Sequence, residues 1–74
     1  MTRNYQLPPT DSHNEIVRQG VTRLKQEHGV TYVSMARQAR LSKVYFQEWK
    51  AGKYNLPPST LDRIRQHLEK FDVL

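Results

Sequence analysis

The chain has 74 residues, with twelve Lys and Arg against seven Asp and Glu, a net charge of +5 and no cysteine. A domain of this length buries only about 60% of the surface its unfolded chain exposes, so there is room for one small core, and without cysteine the chain can use neither disulfides nor a thiolate zinc site. No apolar run approaches the roughly 20 residues of a membrane span, and the opening MTRNYQLPPTDS lacks the apolar stretch of a secretion signal, so a cytoplasmic location and a polyanionic partner are expected.

Residues 1–10 carry adjacent prolines and no helical period, which predicts an extended arm ahead of a single domain over residues 11–74. Ser12 and Glu15 have capping-box spacing, and Ile16, Val17, Val21 and Leu24 follow on one helical stripe until Gly29 stops it. Thr31 reads as the next N-cap, with Val30 and Met35 placed to staple it, and the helix YVSMARQA is about two turns long. Arg40, Leu41 and Ser42 leave space only for a tight turn. Ser42 then caps a helix over residues 43–51 that ends at Gly52.

That helix sorts its side chains unusually. At about 100° per residue, Tyr45, Phe46 and Trp49 form the predicted core face, while Lys43, Val44, Gln47 and Ala51 point the other way. A cation, an amide, a valine and a bare alanine make a poor solvated face but suit a major groove, which displays donors, acceptors and thymine methyls together. After a loop with two prolines, Ser59 and Asp62 repeat the capping-box spacing, and Leu61, Ile64, Leu68 and Phe71 lie on one face of a last helix. Leu-Pro-Pro occurs at residues 7–9 and again at 56–58, each time before a helix, and reads as shared helix-entry chemistry. The apolar end Phe71, Val73 and Leu74 either folds back on the core or meets a second copy. The expected fold is all-α, a small bundle of four to five helices.

The run TYVSMARQARLSKVYFQEWKAGKYNLPPSTLDRIRQHL resembles the helix-turn-helix domain of the lambda Cro and repressor family. Thr31 stands where that family opens its first motif helix, Met35-Ala36 where it has Leu-Ala, Ser42 where it caps the recognition helix, Phe46 and Trp49 at its core positions, and Gly52 at its helix end. Two positions depart from the pattern. Arg40 replaces the glycine usual at a left-handed turn position, and Tyr32 replaces a glutamine that braces the recognition helix.

The resemblance implies sequence-specific binding of double-stranded DNA, with helix 43–51 in the major groove and the helix before it across the backbone. Lys43 and Val44 match the family's leading base contacts and Glu48, beside Gln47, the later one; Ala51 offers close approach. Phosphate candidates are Thr31, Tyr32, Ser42, Arg37 and Arg40 in the first part of the motif, and Lys50, Lys53, Tyr54 and Asn55 after it. Arg3 is a candidate for the minor groove through the arm. The implied protein is a small transcription regulator of phage or mobile-element type, acting in the cytoplasm at the nucleoid, and a homodimer at least on DNA. Alternatives are an antitoxin-like or adaptor module that uses the same frame on protein, and an architectural or excision factor that bends DNA.

His13, His28 and His67 share no ligand spacing, and no nucleophile–base pattern or glycine-rich phosphate loop is present. The expectation is a protein without metal, cofactor or catalytic activity, with little room for a small-molecule pocket.

Overall fold

The computed structural model describes residues 9–73, with side chains from Ser12 onward, and these residues form an all-α bundle: α1 (Pro9–His28), α2 (Tyr32–Gln38), α3 (Lys43–Lys50) and α4 (Pro58–Glu69). Of the segment expected to be an arm, residues 1–8, Arg3 among them, lie outside the described residues. Pro9 and Thr10 belong to α1.

Both predicted capping boxes are corrected in the same way. Each Leu-Pro-Pro sequence starts its helix at the second proline, Pro9 in α1 and Pro58 in α4. Proline presets the helical φ and has no N–H to leave unpaired in the first turn, so the helix opens there, ahead of the serine. Ser12 and Ser59 are consequently inside their helices, the N-cap of α4 is Pro57 with no side-chain hydrogen bond, and Asp62 pairs with Arg65 at 3.0 Å.

The two middle helices start as expected. The Ser34 amide donates to Thr31 Oγ1 and the Tyr45 amide to Ser42 Oγ, each at 3.1 Å. Three helices end with the paired backbone hydrogen bonds of a Schellman motif. After α2, Arg40 N–H donates to Arg37 and Leu41 N–H to Ala36; after α3, Gly52 donates to Trp49 and Lys53 to Glu48; after α4, Asp72 donates to Glu69 and Val73 to Leu68. The left-handed residue is glycine in only one of the three, since Arg40 has φ 61° and Asp72 φ 57°, against 89° for Gly52. The turn after α2 thus keeps the left-handed backbone with arginine in the glycine position.

One core unites the helices. Val17, Val21 and Leu24 of α1 meet Met35, Ala36 and Ala39, then Phe46 and Trp49 of α3, Leu56 of the following loop, and Leu61, Ile64 and Leu68 of α4. Val73 is buried and Phe71 packs against this core, so these two residues of the apolar end fold back, while Leu74 lies outside the described residues. Arg23 holds Val73 there by donating to its carbonyl at 3.3 Å. Ile16 departs from the predicted stripe and is 51% exposed, because the inward position one turn before Val17 is taken by Asn14, which is completely buried. No helix is long and apolar enough to cross a membrane among the described residues.

Candidate nucleic-acid interface

The α3 helix is held from inside by two polar side chains of α1 that sequence spacing did not identify. Asn14 Oδ1 accepts from the Trp49 indole N–H at 2.7 Å and from the Leu56 amide at 2.8 Å, while its Nδ2 donates to the Leu56 carbonyl at 3.2 Å. Arg18 reaches the end of α3, where Nε donates to the Trp49 carbonyl at 2.7 Å and Nη2 to the Tyr54 carbonyl at 2.6 Å and Asn55 Oδ1 at 3.0 Å. Its guanidinium also lies 5.3 Å from the Trp49 ring centre. A cation on the last carbonyls of a helix satisfies acceptors that have no partner within the helix and opposes the negative end of its dipole. Together the two residues tie the last turn of α3 and the loop after it to α1. Its place three residues before Val17, on an otherwise apolar stripe, marks Asn14 as a buried polar residue but does not point to its distant partners.

Phe46 and Trp49 anchor α3 as expected, but Tyr45 does not belong to the core. It is 42% exposed, and its ring stacks on Tyr54 with centroids 5.0 Å apart and planes 24° from parallel. Tyr45 lies at the edge of the apolar arc, where Trp49 already fills the space toward α1, so the smaller cost is to turn it outward onto Tyr54. The Tyr54 hydroxyl donates to the Tyr45 carbonyl. Partial desolvation, then Glu48 and Tyr45, raise the Tyr54 pKa above that of an ordinary tyrosine, which keeps this hydroxyl a donor.

Opposite the core, Lys43, Val44, Gln47 and Ala51 are all exposed, Val44 to 63%. Among the described residues none of their side chains has a hydrogen bond or ion pair. Glu48 is half-buried beside them, with Lys53 Nζ 4.0 Å from its carboxylate.

The phosphate candidates have divided fates. Arg37 and Arg40 are exposed and Lys50 half-exposed, with no ion pair to the described residues. Thr31 and Ser42 use their oxygens as caps, which leaves each O–H to donate outward. Tyr32 is half-buried against Phe46, ring centroids 6.0 Å apart, with Lys25 Nζ 5.1 Å above it. In place of a bracing glutamine, therefore, an aromatic ring supports α3. Tyr54 and Asn55 spend polar groups on the Tyr45 carbonyl and Arg18 respectively.

Charge is distributed to match. Between residues 29 and 61 the acids number one, Glu48, against Arg37, Arg40, Lys43, Lys50 and Lys53, so this stretch holds four of the protein's five net positive charges. Among the described residues outside it the arginines are occupied: besides Arg18, which donates to the Trp49 carbonyl, Arg23 pairs with Glu27, Arg65 with Asp62 and Glu69, and Arg63 donates to the Ala39 carbonyl.

Elsewhere, α1 and α4 leave a groove of about 440 Å³ lined by Ile16, Val17, Pro58 and Leu61, with His13, Asp62 and Arg65 at its edge. The expectation that so small a bundle has little room for such a space is corrected.

The chain matches no protein-family model, and neither curated proteins nor solved structures yield a match.

Proposed function

We propose that this protein is a sequence-specific double-stranded DNA-binding protein of helix-turn-helix type, with α2 and α3 as the motif, and that it regulates transcription by occupying an operator. The observation that carries the reading is the outward face of α3: Lys43, Val44, Gln47 and Ala51 project from a rigidly anchored helix with no work to do inside the protein. In the major groove Lys43 donates to guanine O6 and N7, Gln47 pairs with the N6 and N7 edge of adenine, and Val44 and Ala51 meet thymine methyls. Glu48 accepts from a cytosine amino group. Arg37, Arg40 and Lys50 contact phosphates, with the hydroxyls of Thr31 and Ser42 beside them, while Lys53 stays with Glu48.

One such helix reads only part of a groove turn. Two copies on half-sites about 34 Å apart supply the remaining contacts, and a homodimer on DNA is the simplest arrangement that does so. No catalytic step belongs to this reading, and the protein acts where its DNA is, in the cytoplasm.

Selection of bound duplexes from random DNA, followed by binding of the K43A/Q47A variant, tests it. The parent should select a defined half-site, and the variant should bind all duplexes alike while keeping the parent's helical circular dichroism. Affinity should also fall steeply with salt, since several phosphates release counterions. Retained preference in the variant would remove α3 as the reader, and a flat salt response would favour a protein partner instead.

A further inference from the structure

We propose that Tyr45 is a second-strand backbone contact, a hydroxyl that hydrogen-bonds a phosphate on the far wall of the groove, and that Tyr54 is the residue that positions it. The inference rests on α3 lying in a major groove, and it reverses the roles that spacing alone suggests for the two tyrosines.

Successive residues of a helix turn by about 100°, so the outward face of α3 runs from Lys43 at one edge, through Gln47, Val44 and Glu48, to Tyr45 at the other. A helix with its side chains is about 10–12 Å across and the major groove about 12 Å wide, so both edges of the face meet phosphates. The Lys43 edge is nearer α2, which meets α3 through Tyr32 and Phe46, and it carries Lys43 and Lys50. The Tyr45 edge carries the one acid of the region. Lys53 lies 4.0 Å from Glu48 and offsets its charge, so this edge has no cation to spare for a phosphate. A neutral donor is what such an edge can offer a phosphate.

Tyr45 is built for that task. It is 42% exposed, and its ring is backed by Tyr54 rather than by the core. Among the described residues no group of the protein bonds its hydroxyl. Tyr54 is engaged twice over, by its stack and by its hydrogen bond to the Tyr45 carbonyl, so it fixes the ledge and does not itself reach DNA. Two stacked rings also present apolar surface to deoxyribose.

The test compares parent, Y45F, Y54F and Y45F/Y54F on the selected duplex and on unrelated duplex, together with interference by phosphate ethylation. Y45F should weaken binding to both duplexes by about the same factor, roughly ten- to a hundredfold for one hydrogen bond to a charged acceptor. Its salt slope should equal the parent's, because a neutral group releases no counterion. One phosphate whose ethylation weakens the parent should cease to matter in Y45F. Y54F should cost less than Y45F and add nothing to it, whereas independent phosphate contacts would add.

Binding by Y45F equal to the parent's, or additive losses, overturns the assignment while leaving α3 as the reader. Loss of preference between duplexes in Y45F also overturns it, since that would make Tyr45 a base contact. A parent that binds no duplex, or a K43A/Q47A variant that keeps its preference, removes the DNA reading and this inference with it.

Discussion

Asn14 offers a stringent check on how α3 is held. Replacing it by leucine keeps the bulk but strands the indole N–H of Trp49 and both backbone groups of Leu56, at positions where Asn14 and Trp49 are wholly buried and Leu56 is 1% exposed. Each buried donor left without a partner costs about 1–3 kcal/mol, so the two donors together cost about 2–6 kcal/mol. A domain of this length has about 4–11 kcal/mol in total. At about 4–8 °C per kcal/mol, the N14L variant should melt at least roughly 8 °C below the parent when followed by circular dichroism. A double-mutant cycle isolates the cause. In a W49F background there is no indole N–H to strand, so N14L should cost about 1–3 kcal/mol less there than in the parent. A variant N14L that melts within about 3 °C of the parent, or a cost indifferent to residue 49, would refute the network as the anchor of α3.

Two other outcomes follow from local geometry. Arg40 stands at φ 61°, where a side chain costs about 1–2 kcal/mol and glycine nothing sterically, so R40G should raise the melting temperature by a few degrees after glycine's own entropic cost of about 0.5–1 kcal/mol. If Arg40 contacts a phosphate, R40G should also lower the salt slope of DNA binding by about one. Among the described residues the ring nitrogens of His67 are buried without a hydrogen-bond partner, the ring is edge-on to Phe71 at 5.4 Å, and burial followed by Lys70 lowers its pKa below the ordinary value. The unfolded chain therefore binds a proton at His67 more readily than the fold does. Its contribution is intact above about pH 6.5 and is lost as pH falls from there toward the lower folded value. Melting measured from pH 7 to pH 5 should show a decline in the parent that H67F does not share, and equal slopes would exclude His67 as its source.

What was legible in the sequence was short-range. Thr31 and Ser42 each bond an amide three residues on, and Gly29 and Gly52 supply positive φ at helix ends, so spacing alone located α2 and α3. The starts of α1 and α4 were misplaced because serine at capping-box spacing competes with proline, and proline needs no partner to begin a helix. Tyr45 was misassigned because a 100° sort places it close to Trp49 without saying which of two neighbouring rings the space will take. Asn14 and Arg18 were not legible as anchors, since their partners lie 31 to 42 residues away and nothing local marks the pairing. The outward face of α3, by contrast, follows from its two inward aromatics.

The idleness of that face within the fold has an evolutionary corollary. Because Lys43, Val44, Gln47 and Ala51 support nothing in the interior, while Asn14, Arg18, Phe46 and Trp49 do the anchoring from behind, the chain separates what it is made of from what it can be made to prefer. If those four sites read DNA as proposed, lineages descending from it could drift through many tastes there without passing through an unfolded ancestor, and a library randomised at them should come out as a population of equally sturdy proteins with different appetites.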